Sequence, residues 1–224
     1  MIGRKLFLRT VRCSVRPLSL ALAIAAGCRF EVAESENAAP RNQPDNRTAD
    51  RLPAAAAPRS VRDLDRQMLD QLCRGPSKAV VFVFTRIDCP ISNRYAPEIR
   101  RLSEKFASQG VLFELVFPET SDSVAAIREH LRAFEYPCEA WRDPTHVAVR
   151  RFGAKVTPEV AVCECRSNQM IYRGRIDDLY VDFGQARRAP ETHDLEDALE
   201  AFLTGHPVRV MTTDAVGCLI SDLP

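Results

Sequence analysis

Cys89 follows the apolar run Lys78-Ala79-Val80-Val81-Phe82-Val83-Phe84 and directly precedes Pro90, where a helical pattern begins. A thiol between a strand and a helix is set up to react, because the first backbone N–H groups of the helix point at the sulfur and the positive end of the helix dipole favours its anion. The thiolate is the nucleophile, so the position argues for redox chemistry. Cys89-Pro90-Ile91-Ser92 has the spacing of a CxxC pair whose second cysteine is serine. A CxxC pair closes its own disulfide, whereas CxxS needs a distant cysteine, a small thiol or a partner protein to resolve a mixed disulfide or a sulfenic acid. Pro90 suits the first helical position because it has no N–H to leave unpaired, and Ser92 can bring a hydroxyl within reach of the sulfur. Asp88 adds a negative charge that Arg86 and Arg94 partly counter, so the direction of the thiol's pKa shift stays open at this level. The alternative, a small buried hydrophobe, is the common fate of a free cysteine; the placement before Pro90 argues against it.

The chain holds eight cysteines. Cys13 and Cys28 lie in the N-terminal stretch, leaving Cys73, Cys89, Cys138, Cys163, Cys165 and Cys218. An even number permits structural disulfides, but no CxxC…CxxC zinc spacing occurs, and no metal or cofactor is called for. Cys163 and Cys165 stand at i and i+2 of a strand and share a face, with Cα atoms roughly 6.5 to 7 Å apart, at the limit for a disulfide. Packing against a helix accounts for them, and Cys73 and Cys138 read as core or helix-end residues. Cys218 lies in the tail beyond Gly205 and Pro207, beside Gly217. Two readings of it stand: a second thiol that resolves Cys89, with Gly217 allowing close backbone approach, or a residue packed with Val216, Leu219 and Ile220 to anchor the terminus.

The elements that must position these thiols follow from periodicity. Val61, Leu64, Met68, Leu69 and Leu72 have a helical period, stopped by Gly75-Pro76. A strand is expected at 78–85, then a helix from Pro90 with Tyr95, Ile99, Leu102 and Phe106 on one face, kinked by Pro97 and ended near Gly110. The continuous apolar run Val111 to Phe117 marks a strand buried on both faces. A helix with a serine cap at Ser121 or Ser123 carries Val124, Ile127, Leu131 and Phe134. A short strand at Cys138 to Trp141, a short helix from Asp143 to Phe152, and strands Glu159 to Cys165 and Met170 to Arg173 follow. The last helix runs from about His193 to Leu203, capped by Thr192. This order is an α/β fold with a central mixed sheet flanked by helices.

Before that domain, assigned to residues 61–224, the sequence changes character. Arg4, Lys5, Arg9, Arg12 and Arg16 precede the apolar run Leu18 to Ala26, about nine residues where a membrane span needs about 20, so residues 1–27 read as an export signal. Ala25-Ala26-Gly27-Cys28 resembles the lipobox of bacterial lipoproteins, in which the cysteine is lipidated; conventional cleavage or an uncleaved anchor are the alternatives. Residues 28–60, rich in Ala, Pro, Asn, Arg and Glu without apolar periodicity, read as a disordered tether. The chain is therefore expected in the periplasm or cell envelope, tethered to the membrane through Cys28. A net charge of +1 with basic residues scattered among acids gives no nucleic-acid face.

Cys89 at a strand-to-helix turn, Pro97 within that helix and Val156-Thr157-Pro158 before a strand together resemble a thioredoxin-like fold of the redoxin type. The runs Asp88 to Glu98 and Tyr172-Arg173-Gly174-Arg175-Ile176-Asp177-Asp178, with the ending Gly217-Cys218-Leu219-Ile220, are similar to an exported bacterial redoxin branch described as AhpC/TSA-like, over about residues 76 to 220. The resemblance implies that Pro158 is cis and packs against Cys89, that the Thr157 backbone is free to pair with an extended substrate, and that Pro90 and Arg173 border the substrate. It implies a thiol–disulfide oxidoreductase acting through Cys89 and Ser92, with a disulfide-bearing protein or a small-thiol reductant as partner. A peroxiredoxin-like thiol peroxidase with antioxidant activity is the alternative. The usual Pro-x-x-x-Thr/Ser-x-x-Cys pattern is absent, Thr85 standing four residues before Cys89, and Arg173 or Arg175 would have to supply the guanidinium. A non-enzymatic copper(I)-binding or thiol-sensing protein is the third reading, with His193 as the imidazole.

Overall fold

The computed structural model describes residues 60–221 and 223; the stretches read as an export signal and a tether, up to residue 59, and the candidate lipidation residue Cys28 lie outside the described residues. The central sheet begins with β1 (Val61–Asp63), β2 (Ala79–Phe84) and β3 (Val111–Phe117) and is completed by β4 (Glu139–Arg142), β6 (Glu159–Glu164) and β7 (Gln169–Gly174). Its order is β1-β4-β3-β2-β6-β7, with the first four strands mutually parallel and β6 and β7 antiparallel to their neighbours. β5 (Val156–Thr157) stands outside this sheet and pairs with β10 (Cys218–Leu219), while β8 (Tyr180–Asp182) pairs with β9 (Gln185–Ala186).

Alternation along β2 decides which side chain serves which face. Ala79, Val81 and Val83 enter one apolar core with Cys89, Tyr95, Ile99, Leu102 and Phe106 of α2 (Pro90–Ala107). Val80, Phe82 and Phe84 enter the other, beneath α1 (Arg66–Leu72) and α4 (Val147–Phe152). A strand buried on both faces must be apolar throughout, and every residue of β2 is buried. α3 (Val124–Ala133) and α5 (Asp194–Leu203) contribute Ile127, Leu131, Leu195 and Leu199 to the first core. Cys163 and Cys165 do share a face, the second one.

Several expectations are corrected. Val61 does not open a helix: it begins a three-residue strand parallel to β4, and the helix starts at Arg66, where the Asp65 side chain accepts the Met68 N–H. β3 is not wholly buried, Leu112 being 44% exposed. Ser123, not Ser121, caps α3 by accepting the Ala126 N–H. His193 rather than Thr192 is the residue before α5, and the Thr192 hydroxyl instead donates to the first helical carboxylate, Asp194.

Candidate active site

Cys89 is the residue that caps α2, with Pro90 at the first helical position. Its sulfur accepts the Ser92 N–H at 3.4 Å and, as a thiol, donates to the Thr157 carbonyl at 3.0 Å. Thr157–Pro158 is a cis peptide. Thr157 is also the backbone partner of Cys218, and this pairing brings the tail cysteine to the site. The Cys218 thiol and backbone N–H are thereby close enough to bear on the ionisation of the Cys89 sulfur.

These contacts settle the direction of the shift. Burial pushes the Cys89 thiol up, but donation from the Cys218 thiol, the Ser92 hydroxyl and the two backbone N–H groups outweighs it, and the thiol ionises below its ordinary range. The Ser92 hydroxyl is fully buried and has no partner while Cys89 is protonated, so it is free to serve the anion. Cys218 is displaced the other way, to about 12, by burial and by its hydrogen bond and proximity to Cys89, with the Arg86 guanidinium opposing. The pair therefore joins one thiol that ionises readily to one that keeps its proton.

The tail lies over the sulfur. Cys89 has no exposed surface, while Cys218 is half-buried. Ile220 donates to the Lys155 carbonyl and Ser221 to Glu119 Oε1, which also takes Arg86 Nη1. Gly217 is required by this approach, since a Cβ there would lie 2.2 Å from the Thr157 oxygen. The Thr157 backbone that the resemblance reserves for an extended substrate is thus paired with the chain's own β10.

The two candidate arginines have acceptors of their own. Arg173 Nη1 donates to the Gly153 and Phe152 carbonyls at the end of α4, and its Nε faces Glu159. Arg175 is held by Asp194. Both are engaged by acceptors elsewhere, and the guanidinium that bears on Cys218 is Arg86, which the sequence offers only as a counter-charge to Asp88. His193 is grouped with Glu98 and Asp177, their ligand atoms within 4.8 Å of one another. These are hard oxygen donors with one imidazole, and both carboxylate oxygens of Glu98 accept from Arg101. A thiolate–imidazole set for copper(I) is not what His193 joins.

Residues 49–176 match the AhpC/TSA family. Among solved structures the chain is similar to an uncharacterized conserved protein from Geobacillus kaustophilus, at 24% identity and a TM-score of 0.58 over 66% of this chain and 79% of that one. It is also similar to a hypothetical protein from Sinorhizobium meliloti 1021, at 19% identity and a TM-score of 0.58 over 68% and 82%. These likenesses concern the fold. No curated protein matches the sequence. Because the family match spans more than half of its length, the chain belongs to the AhpC/TSA family, on a thioredoxin-like fold.

Proposed function

We propose that the protein is a thiol–disulfide oxidoreductase in which Cys89 is the nucleophile and Cys218 the resolving thiol. The observation that carries this reading is the meeting of Cys89 and Cys218 at Thr157, whose carbonyl accepts from the Cys89 thiol at 3.0 Å and whose backbone pairs with Cys218 in β10. CxxS cannot close its own disulfide, and this contact supplies the missing thiol.

In the first step the Cys89 thiolate attacks one sulfur of a substrate disulfide, forming a mixed disulfide and expelling a thiolate that takes up a proton. The second step is conditional on the first. Once the Cys89 sulfur is bonded and neutral, its part in raising the Cys218 thiol is gone; burial still raises that thiol until the entering substrate displaces β10, and Arg86 still lowers it. Cys218 then ionises and attacks the Cys89 sulfur, releasing the second substrate thiol and leaving a Cys89–Cys218 disulfide. Substrate gains two electrons and the protein loses two, which a thiol reductant restores. Because β10 covers Cys89 and occupies the Thr157 backbone, an extended protein substrate must displace it; Thr157, Pro158 and Pro90 then border the entering disulfide. The export signal and Cys28 support an envelope location for this chemistry.

Turnover of a small disulfide by the full chain, its Cys89→Ser variant and its Cys218→Ser variant tests the assignment. Expected are loss of exchange without Cys89, and a stalled mixed disulfide on Cys89 without Cys218. Unimpaired multiple turnover by Cys218→Ser would remove the resolving role. Turnover of hydroperoxide, but not of disulfide, would make the protein a peroxidase.

A further inference from the structure

A second pair of thiols lies on the opposite face of the sheet. Cys73 closes α1, its N–H returning to the Leu69 and Gln71 carbonyls, and Cys163 stands in β6 opposite Val80 and Met170. Both have no exposed surface, both belong to the second core, and each thiol bears on the ionisation of the other, while the Cys163 sulfur also reaches Asn168 Oδ1 at 3.7 Å. Cys165 is close but is not the partner: its sulfur turns to the Leu72 carbonyl at 3.9 Å. Arg151 brackets the pair, reaching Asp70 of α1 and Asn168 of the β6–β7 turn.

We propose that Cys73 and Cys163 are joined in a structural disulfide that ties the end of α1 to β6. Two thiols in contact in an apolar core and roughly ninety residues apart in sequence are where a cross-link constrains the unfolded chain strongly. The oxidant is a low-molecular-weight disulfide. Cys163, on the strand, reacts first, and Cys73 follows from the end of α1. The Cys163 thiolate attacks the small disulfide and expels one thiolate; Cys73 then gives up its proton and attacks the Cys163 sulfur, expelling the second. Two protein thiols are oxidised by two electrons, the small disulfide is reduced to two thiols, and the two protons pass to those leaving groups. Neither sulfur is accessible in the folded chain, so the bond forms before α1 docks and is sealed afterwards.

The test uses the full chain carrying Cys89→Ser and Cys218→Ser, so that its outcome does not depend on the proposed function. The protein is refolded from denaturant with oxidised and reduced glutathione, its free thiols are alkylated under denaturing conditions, and it is digested. Cysteines 163 and 165 share one tryptic peptide, but cleavage after Glu164 separates them. A Cys73–Cys163 link, absent after reduction, is the expected result. A Cys73–Cys165 or Cys163–Cys165 link, or complete alkylation of both Cys73 and Cys163, would overturn the proposal.

Discussion

On one face of the sheet Cys89 heads an 18-residue helix and its partner sits in a two-residue strand near the chain's end. On the other, Cys73 ends a seven-residue helix and its partner sits in a six-residue strand inside the sheet. Each pair has a lowered thiol beside a raised one, so that asymmetry does not distinguish them. Two other features do. A helix N-terminus offers N–H groups to a thiolate, whereas the residue closing a helix meets carbonyl oxygens and the negative end of the dipole. The cover differs too: Cys89 lies under a short strand with Leu219 75% exposed, Cys163 under a helix with Leu69 and Cys73 fully packed. The two-thiol chemistry proposed for each face would thus turn over in one place and persist in the other.

The largest expected effect separates the pairs by activity. Cys89→Ser should lower disulfide exchange by about a hundredfold or more, since the only thiolate at a helix N-terminus among the described cysteines is lost. Cys73→Ser should leave it within about twofold, as its sulfur lies across the sheet. A steady-state assay with a small disulfide decides it, and equal losses would end the division of labour.

Next in size is resistance to reduction. Closing a loop of roughly ninety residues is worth about 4–5 kcal/mol in the chain-entropy account, so the Cys73–Cys163 link should raise the thermal midpoint by roughly 10 °C. In the folded protein dithiothreitol should open Cys89–Cys218 within minutes and leave Cys73–Cys163 intact until denaturant is added. Reduction of both at one rate would show that α1 opens as easily as β10.

The tail gives a smaller, local effect. Gly217→Ala places a Cβ against the Thr157 oxygen, and β10 must shift or leave. The few bonds that hold it are worth about 1 kcal/mol each, so stability should fall by roughly 1–2 kcal/mol. Alkylation of Cys89 at alkaline pH, where ionisation no longer limits the rate, should quicken by about tenfold, as mapped by mass spectrometry. An unchanged rate would show that β10 is not the barrier.

How much of this was legible in the sequence depends on whether a feature is local. β2, α2 and the capping role of Cys89 are written in consecutive residues, because apolar alternation and a proline at the first helical position act over one or two turns. The cis bond before Pro158 was legible through family resemblance alone. β1, β5 and β10 are three, two and two residues long, too short for any period to show. Core packing of Cys73, Cys163 and Cys165 is legible from the sequence, but the approach of a helix end to a strand roughly ninety residues away is not, because no local period carries it. Arg173 misled for a related reason: a strand-end arginine looks free until the carbonyls of α4 arrive beside it.

The smallest effect is also the most specific to the catalytic pair. Ser92 keeps a hydroxyl buried without a partner while Cys89 is protonated, an arrangement that costs stability and is relieved when the anion forms. Cys89 ionises more readily folded than unfolded. Its contribution to stability is therefore present above the ordinary thiol pKa and is lost as pH falls through the folded value. Ser92→Ala removes one of four donors to the sulfur but leaves the Ser92 N–H and both Cys218 donors. The pH profile of Cys89 alkylation should move upward, and the rate at neutral pH should drop by about two- to threefold. The thermal midpoint at mildly acidic pH should hold or rise, since an unsatisfied buried hydroxyl has been deleted at a site where the thiol does not need it. If the midpoint falls with no change in the pH profile, the hydroxyl serves packing, and the advantage of the Cys89 face over the Cys73 face rests on backbone N–H groups and Cys218 alone.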